Sequence, residues 1–134
     1  MRYEFQVQVH EDYLRVEISG ARTPGQEVND AVQTGQQISD AVRRSGVSKV
    51  LTVFRMTGRL PATESHEIYS NPQAFGWSRD VKVALVDMNP ESKEDSLFSE
   101  TVAVNRAYDM SVFDNEEDAL EWLLDTPQPT DTKF

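Results

Sequence analysis

The side chains best placed for chemistry gather in two short stretches, Arg55-Met56-Thr57-Gly58-Arg59 and Asp87-Met88-Asn89. Each follows an apolar run that reads as a buried parallel strand. In open α/β sheets, ligands favour the crevice beyond the carboxyl ends of such strands. Two guanidinium groups, a hydroxyl and a glycine beside helix N-termini suit an anion or an acyl headgroup. Asp87 stands at the second strand end, and Trp77 with Phe75 would give the crevice an apolar wall. The expected ligand-binding set is therefore Arg55, Thr57, Arg59, Trp77 and Asp87. A competing assignment pairs both arginines with acidic side chains and packs both aromatics into the core.

Metal and catalytic chemistry find less support. His10 falls in a hairpin loop. His66 lies in Thr63-Glu64-Ser65-His66-Glu67, which lacks the second histidine four residues on that a helical zinc site needs. The chain contains no cysteine, so disulfides and thiolate ligands are excluded. No Gly-x-Ser-x-Gly elbow, P-loop or dinucleotide fingerprint occurs. The acidic pairs Glu11-Asp12 and Glu116-Glu117 belong to a turn and a helix cap rather than to acid–base work. No catalytic residue, metal or cofactor is expected. A binding module is the leading reading, with a small hydrolase or transferase in the same crevice as the alternative.

The elements that must position these groups are legible from periodicity. Tyr3 to Val9 alternates apolar and polar residues, Tyr13 to Ile18 repeats the pattern, and His10-Glu11-Asp12 joins them as an antiparallel hairpin. Thr23-Pro24-Gly25-Gln26 reads as a helix start. Val28, Ala31, Val32, Gly35, Ile38, Ala41 and Val42 then recur at helical spacing until Ser45-Gly46 stops the helix. Val47 to Phe54 is a central strand, with Arg55 to Pro61 as the loop after it. A second helix near Ala62 or Thr63 ends at Asn71-Pro72. Val81 to Val86 is a buried strand, a third helix starts at Ser92 or Asp95, and Met110 to Phe113 is a short last strand. Asp114 caps the final helix, with Glu117 reaching back. The order is β-β-α-β-α-β-α-β-α, a single mixed α/β sheet whose last three strands are parallel. Residues 1–126 are expected to form one domain and 127–134 a disordered tail.

Charge separates the halves. The chain has 134 residues and a formal charge of −10. Residues 1–60 hold eight Lys/Arg against seven Asp/Glu, whereas residues 61–134 hold five against sixteen. Such a surface repels nucleic acid and anionic lipid. Charges interrupt every apolar run, so neither a membrane span nor a signal peptide is expected, and the expected location is the cytoplasm. The edge strand Tyr3–Val9 needs protection of its open backbone, which predicts a homodimer.

Three segments carry a resemblance: VKVALVDM at 81–88, ETVAVNRAYDMSVF at 100–113 and FDNEEDALEWL at 113–123. In that order they resemble the last strands and closing helix of STAS/SpoIIAA-like domains, a group that also takes in the CRAL-TRIO-related lipid-binding fold. The resemblance implies a regulatory binding module, with a small-molecule or lipid ligand or a protein as partner. In the anti-sigma-factor-antagonist branch a serine within Asp-Ser-Ser-Gly is phosphorylated. The corresponding FRMTGRLPATES here lacks that tetrapeptide. Thr57, Thr63 and Ser65 lie nearby without the motif, so the phospho-switch is not carried over.

Overall fold

In the computed structural model, residues 3–58, 80–89 and 108–125 are described, with Thr63, His66, Glu67 and Thr101. Strands β1 (Glu4–Val9), β2 (Leu14–Ala21), β3 (Lys49–Thr57), β4 (Lys82–Asp87) and β5 (Met110–Phe113) form one sheet in chain order. The hairpin β1–β2 is antiparallel, and every later pairing is parallel. Helix α1 (Glu27–Ser45) connects β2 to β3, and α2 (Glu116–Leu124) follows β5. Helical backbone at Thr63, His66 and Glu67, and again at Thr101, falls within the second and third helices expected from the sequence. The expected tail 127–134 lies outside the described residues.

Hydrophobic burial explains the layering. One face of the sheet presents Leu14, Val16, Ile18, Val50 and Met56 to Ile38 of α1. Val83, Leu85 and Met110 extend that face with Tyr108. The other face presents Leu51, Val53, Ala84 and Val86 to Ala119 and Leu123 of α2. β3 and β4 are thus covered on both sides, which is why their sequences are apolar almost without alternation. Burying each large aliphatic side chain contributes about 1.5–3 kcal/mol. Thr52 is the polar exception in β3: it is buried, and its Oγ1 finds no hydrogen-bond partner among the described residues.

Helix α1 begins later than Pro24. Thr23 to Gln26 is instead a turn, with Gln26 N–H donating to Thr23 O at 2.9 Å and Gly25 at φ +87°. Proline followed by a glycine with positive φ is the signature of a type II turn, and it outcompetes the helical start. The buried stripe is also more polar than expected. Asp30 and Thr34 are buried beside Gly35 and Ile38, while Val28 and Val32 are half-buried. The Tyr3 hydroxyl donates to Asp30, and Thr34 Oγ1 donates to the Asp30 carbonyl at 3.0 Å, so these polar groups are satisfied. Gly46, in the left-handed conformation, ends the helix as expected.

The cap of α2 is Asn115, one residue beyond Asp114. Asn115 has extended backbone, and its Oδ1 accepts from Asp118 N–H at 2.8 Å. Asp114 stands one residue too early and accepts instead from Asn115 Nδ2 at 2.9 Å. Glu116, Glu117 and Asp118 still place negative charge at the positive end of the helix.

Candidate functional site

The sequence places Arg55 and Thr57 in a loop, but β3 continues through both. Parallel pairing with β2 extends to Ser19↔Arg55 and Ala21↔Thr57. Their side chains therefore alternate with the strand, on the α2 face with Leu51 and Val53. Asp87 pairs in register with Phe54, so it points to the opposite face. Arg55 and Asp87 occupy neighbouring strand ends without meeting. Thr57 is exposed and Asp87 is buried. Arg59 and Trp77 lie outside the described residues.

Arg55 belongs to a four-residue charge cluster. Arg15 donates to Glu116 from both Nε and Nη2, at 2.8 and 3.0 Å, a bidentate fork. Arg15 Nη2 also reaches Glu17 Oε1 at 2.9 Å. Arg55 Nε lies 3.2 Å from Glu17 Oε2, and its Nη2 lies 3.9 Å from Glu116 Oε2. Two cations face two anions, so the cluster carries no net charge. Hydrogen bonding to Glu116 raises the pKa of Arg15. Hydrogen bonding from Arg15 holds the Glu116 carboxyl below its ordinary value of 4.5.

A second set of contacts ties the strand ends together on the Asp87 side. Asp87 Oδ1 accepts from Asn89 N–H at 3.0 Å, an Asx turn that shapes the exit from β4. Asn89 Nδ2 donates to Met56 O at 3.2 Å and to Gly58 O at 3.4 Å, crossing to β3. Arg22, just past β2, donates from Nη1 to the same Gly58 carbonyl at 2.7 Å. Gly58 has φ +86°, which favours glycine, and a Cβ there would stand a tight 3.3 Å from Arg22 Cβ. The ends of β3 and β4 thus form a ledge that Asp87 shapes from within, with Thr57, Gly58 and Met88 as its exposed surface; Met88 is 43% exposed.

The expected ligand-binding set leaves out Arg15, Glu17, Arg22 and Glu116, and Asn89 enters the sequence only as part of the strand-end stretch 87–89. The Arg15/Glu17 alternation was visible as the polar face of β2, and Glu116 as an acid in the first turn of α2. Nothing in the sequence places Arg15, Glu17 and Glu116 together, because their contact depends on where α2 crosses the sheet. Among the described residues, no three His, Asp or Glu side chains could hold a metal together. Nor is any helix there long and apolar enough to cross a membrane.

Solved structures share this fold, two anti-sigma factor antagonists among them. An anti-sigma factor antagonist from Mycobacterium paratuberculosis matches with a TM-score of 0.58 at 12% identity, covering 92% of this chain and 95% of that one. The anti-sigma factor antagonist SpoIIAA in its unphosphorylated form matches with a TM-score of 0.51 at 12% identity, covering 91% of this chain and 100% of that one. No protein-family model matches the sequence, and no curated protein matches it significantly. The chain has the STAS/SpoIIAA-like α/β fold that the segments at 81–88, 100–113 and 113–123 suggest.

Proposed function

We propose that this chain is a non-enzymatic regulatory module that binds a protein partner over the C-terminal ends of β3 and β4. The observation that carries the proposal is a fold shared over 92% of the chain with an anti-sigma factor antagonist. By their name such proteins act against anti-sigma factors, and a partner of that kind heads the reading. Neutralisation of Arg55 by Glu17 and Glu116 supports a protein partner over a small anion or lipid headgroup. An anionic ligand would have to displace those carboxylates, at a cost in lost ion pairs.

In this reading Arg55 and Thr57 contact the partner, Asp87 shapes the ledge, and Arg59 and Trp77 are further candidate contact residues. Exposed Met88 supplies an adaptable apolar contact. The module works as a cytoplasmic homodimer, with residues 1–126 as its domain. The hydrolase or transferase alternative has no observation in its favour.

Photo-crosslinking in cells tests the reading. The full chain carries a benzophenone side chain at Met88 or, as a control, at exposed Gln36 on the solvent side of α1. A discrete protein adduct from position 88 that is missing from position 36 is expected. Identical adduct patterns from both positions, or none from 88, would remove the proposed surface.

A further inference from the structure

β1 is the outer strand of the sheet, paired only with β2 among the described residues. Which of its backbone groups stay open follows from the hairpin. His10 N–H donates to Tyr13 O at 2.9 Å, making 10 and 13 a hydrogen-bonded pair. In an antiparallel ladder such pairs alternate. The register Gln8↔Arg15, Gln6↔Glu17 and Glu4↔Ser19 therefore takes the backbone groups of Gln8, Gln6 and Glu4 toward β2. Those of Phe5, Val7 and Val9 point to the open edge.

The side chains of the same three residues share the α1 face. Val7 is 40% exposed and Val9 is 65% exposed, and with Phe5 they floor a groove of about 460 Å³ walled by Ala41 and Arg44 of α1. The devices that usually guard an edge are missing: β1 holds no proline and no lysine, and its one charge is Glu4. An open edge beside exposed valines is a surface built to pair.

We infer that a second copy of this chain pairs antiparallel with β1, centred on Val7, to make one continuous sheet. The inference rests on the homodimer proposed above and names its surface. The chain is complementary to itself in this register. Val7 faces Val7 of the second copy, and Phe5 faces Val9, so three apolar cross-strand pairs form on one face. The open N–H and C=O groups of all three residues are satisfied at once. On the other face Gln6 faces Gln8, and Glu4 faces His10, a carboxylate opposite an imidazole. No like charges oppose each other. Centring the pairing on Gln6 instead puts Glu4 opposite neutral Gln8 and loses the Glu4–His10 pair.

Light scattering on the purified full chain at about 50 µM, within the range of ordinary interfaces, tests the assembly. The expected mass is twice the 15.2 kDa of one chain. Val7→Pro removes only an outward N–H, and Val7→Lys installs an edge charge; both are expected to give monomers with unchanged far-UV circular dichroism. A monomeric wild type overturns the homodimer and its surface together. A dimer that survives both substitutions overturns this surface and leaves the homodimer standing. Register is read by cross-linking, because the chain has no native cysteine. Hydrogen-bonded partners lie about 5.5 Å apart at Cα, within disulfide reach. Val7→Cys is expected to oxidise to a covalent dimer, and Gln6→Cys to remain uncoupled; the reverse result overturns the Val7-centred register.

Discussion

Arg15 and Glu116 stand 101 positions apart in sequence and form a two-bond fork that clamps the first residue of α2 to β2. The clamp holds Glu116 beside Arg55 and so sets the charge balance at the end of β3. Arg15→Ala is expected to cost about 1–2 kcal/mol, because it leaves two carboxylates, Glu17 and Glu116, to share Arg55. Glu116→Gln should cost less, about 0.5–1 kcal/mol, since that side chain is partly solvated. Chemical denaturation of both single variants and the double variant checks this. A coupling energy near zero would mean that the fork does not hold α2.

Acid sensitivity follows from the same pair. Glu116 has a lowered pKa in the folded protein, so its contribution to stability is present above the ordinary value of 4.5 and lost as pH falls through the lower folded value. Arg15, raised further, is protonated in both states and adds no pH dependence of its own. The stability gap between wild type and Glu116→Gln is expected to be constant above about pH 5.5 and to shrink toward pH 3. Denaturation midpoints measured across that range would contradict this if the gap widened on acidification.

Thr52 offers a gain. Its buried hydroxyl lacks a partner among the described residues and sits between buried Leu51 and Val53. Thr52→Val keeps the branched shape and removes the unsatisfied group. Stabilisation of about 1 kcal/mol is expected, a rise in Tm of about 3–4 °C for a chain of this size. A lower Tm would show that the hydroxyl is satisfied.

The cap of α2 distinguishes neighbours. Asn115→Ala removes the acceptor for Asp118 N–H and is expected to cost about 1 kcal/mol. Asp114→Ala removes only a side-chain contact to Asn115 and should cost under about 0.5 kcal/mol. Equal losses would mean that Asp114 shares the capping.

The fold was legible because its signals are local. The alternation of Tyr3–Val9, the glycine stop at Gly46 and the apolar runs of β3 and β4 each state an element. Their order leaves few ways to assemble them. The errors came from short-range competition: Pro24-Gly25 favoured a turn over a helix start, and Asn115 displaced Asp114 by a single residue. The site was less legible. Arg55 and Thr57 looked like loop residues, because nothing before Ala21 and Thr57 are paired shows how far β3 runs. Once β3 is extended, strand alternation separates Arg55 from Asp87 and delivers Arg55 to Glu17 and Glu116. Such long-range pairings leave no periodicity in the sequence.

Partner affinity tests the ledge at the ends of β3 and β4 most directly. Titration calorimetry compares the partner captured through position 88 binding to wild type and to Met88→Asp, with thermal melts as the folding control. Met88 is exposed, so the substitution should leave Tm unchanged while weakening binding at least about tenfold, the loss expected when a charge replaces a central apolar contact. Equal affinity in wild type and Met88→Asp would contradict the claim and move the binding surface elsewhere on the chain.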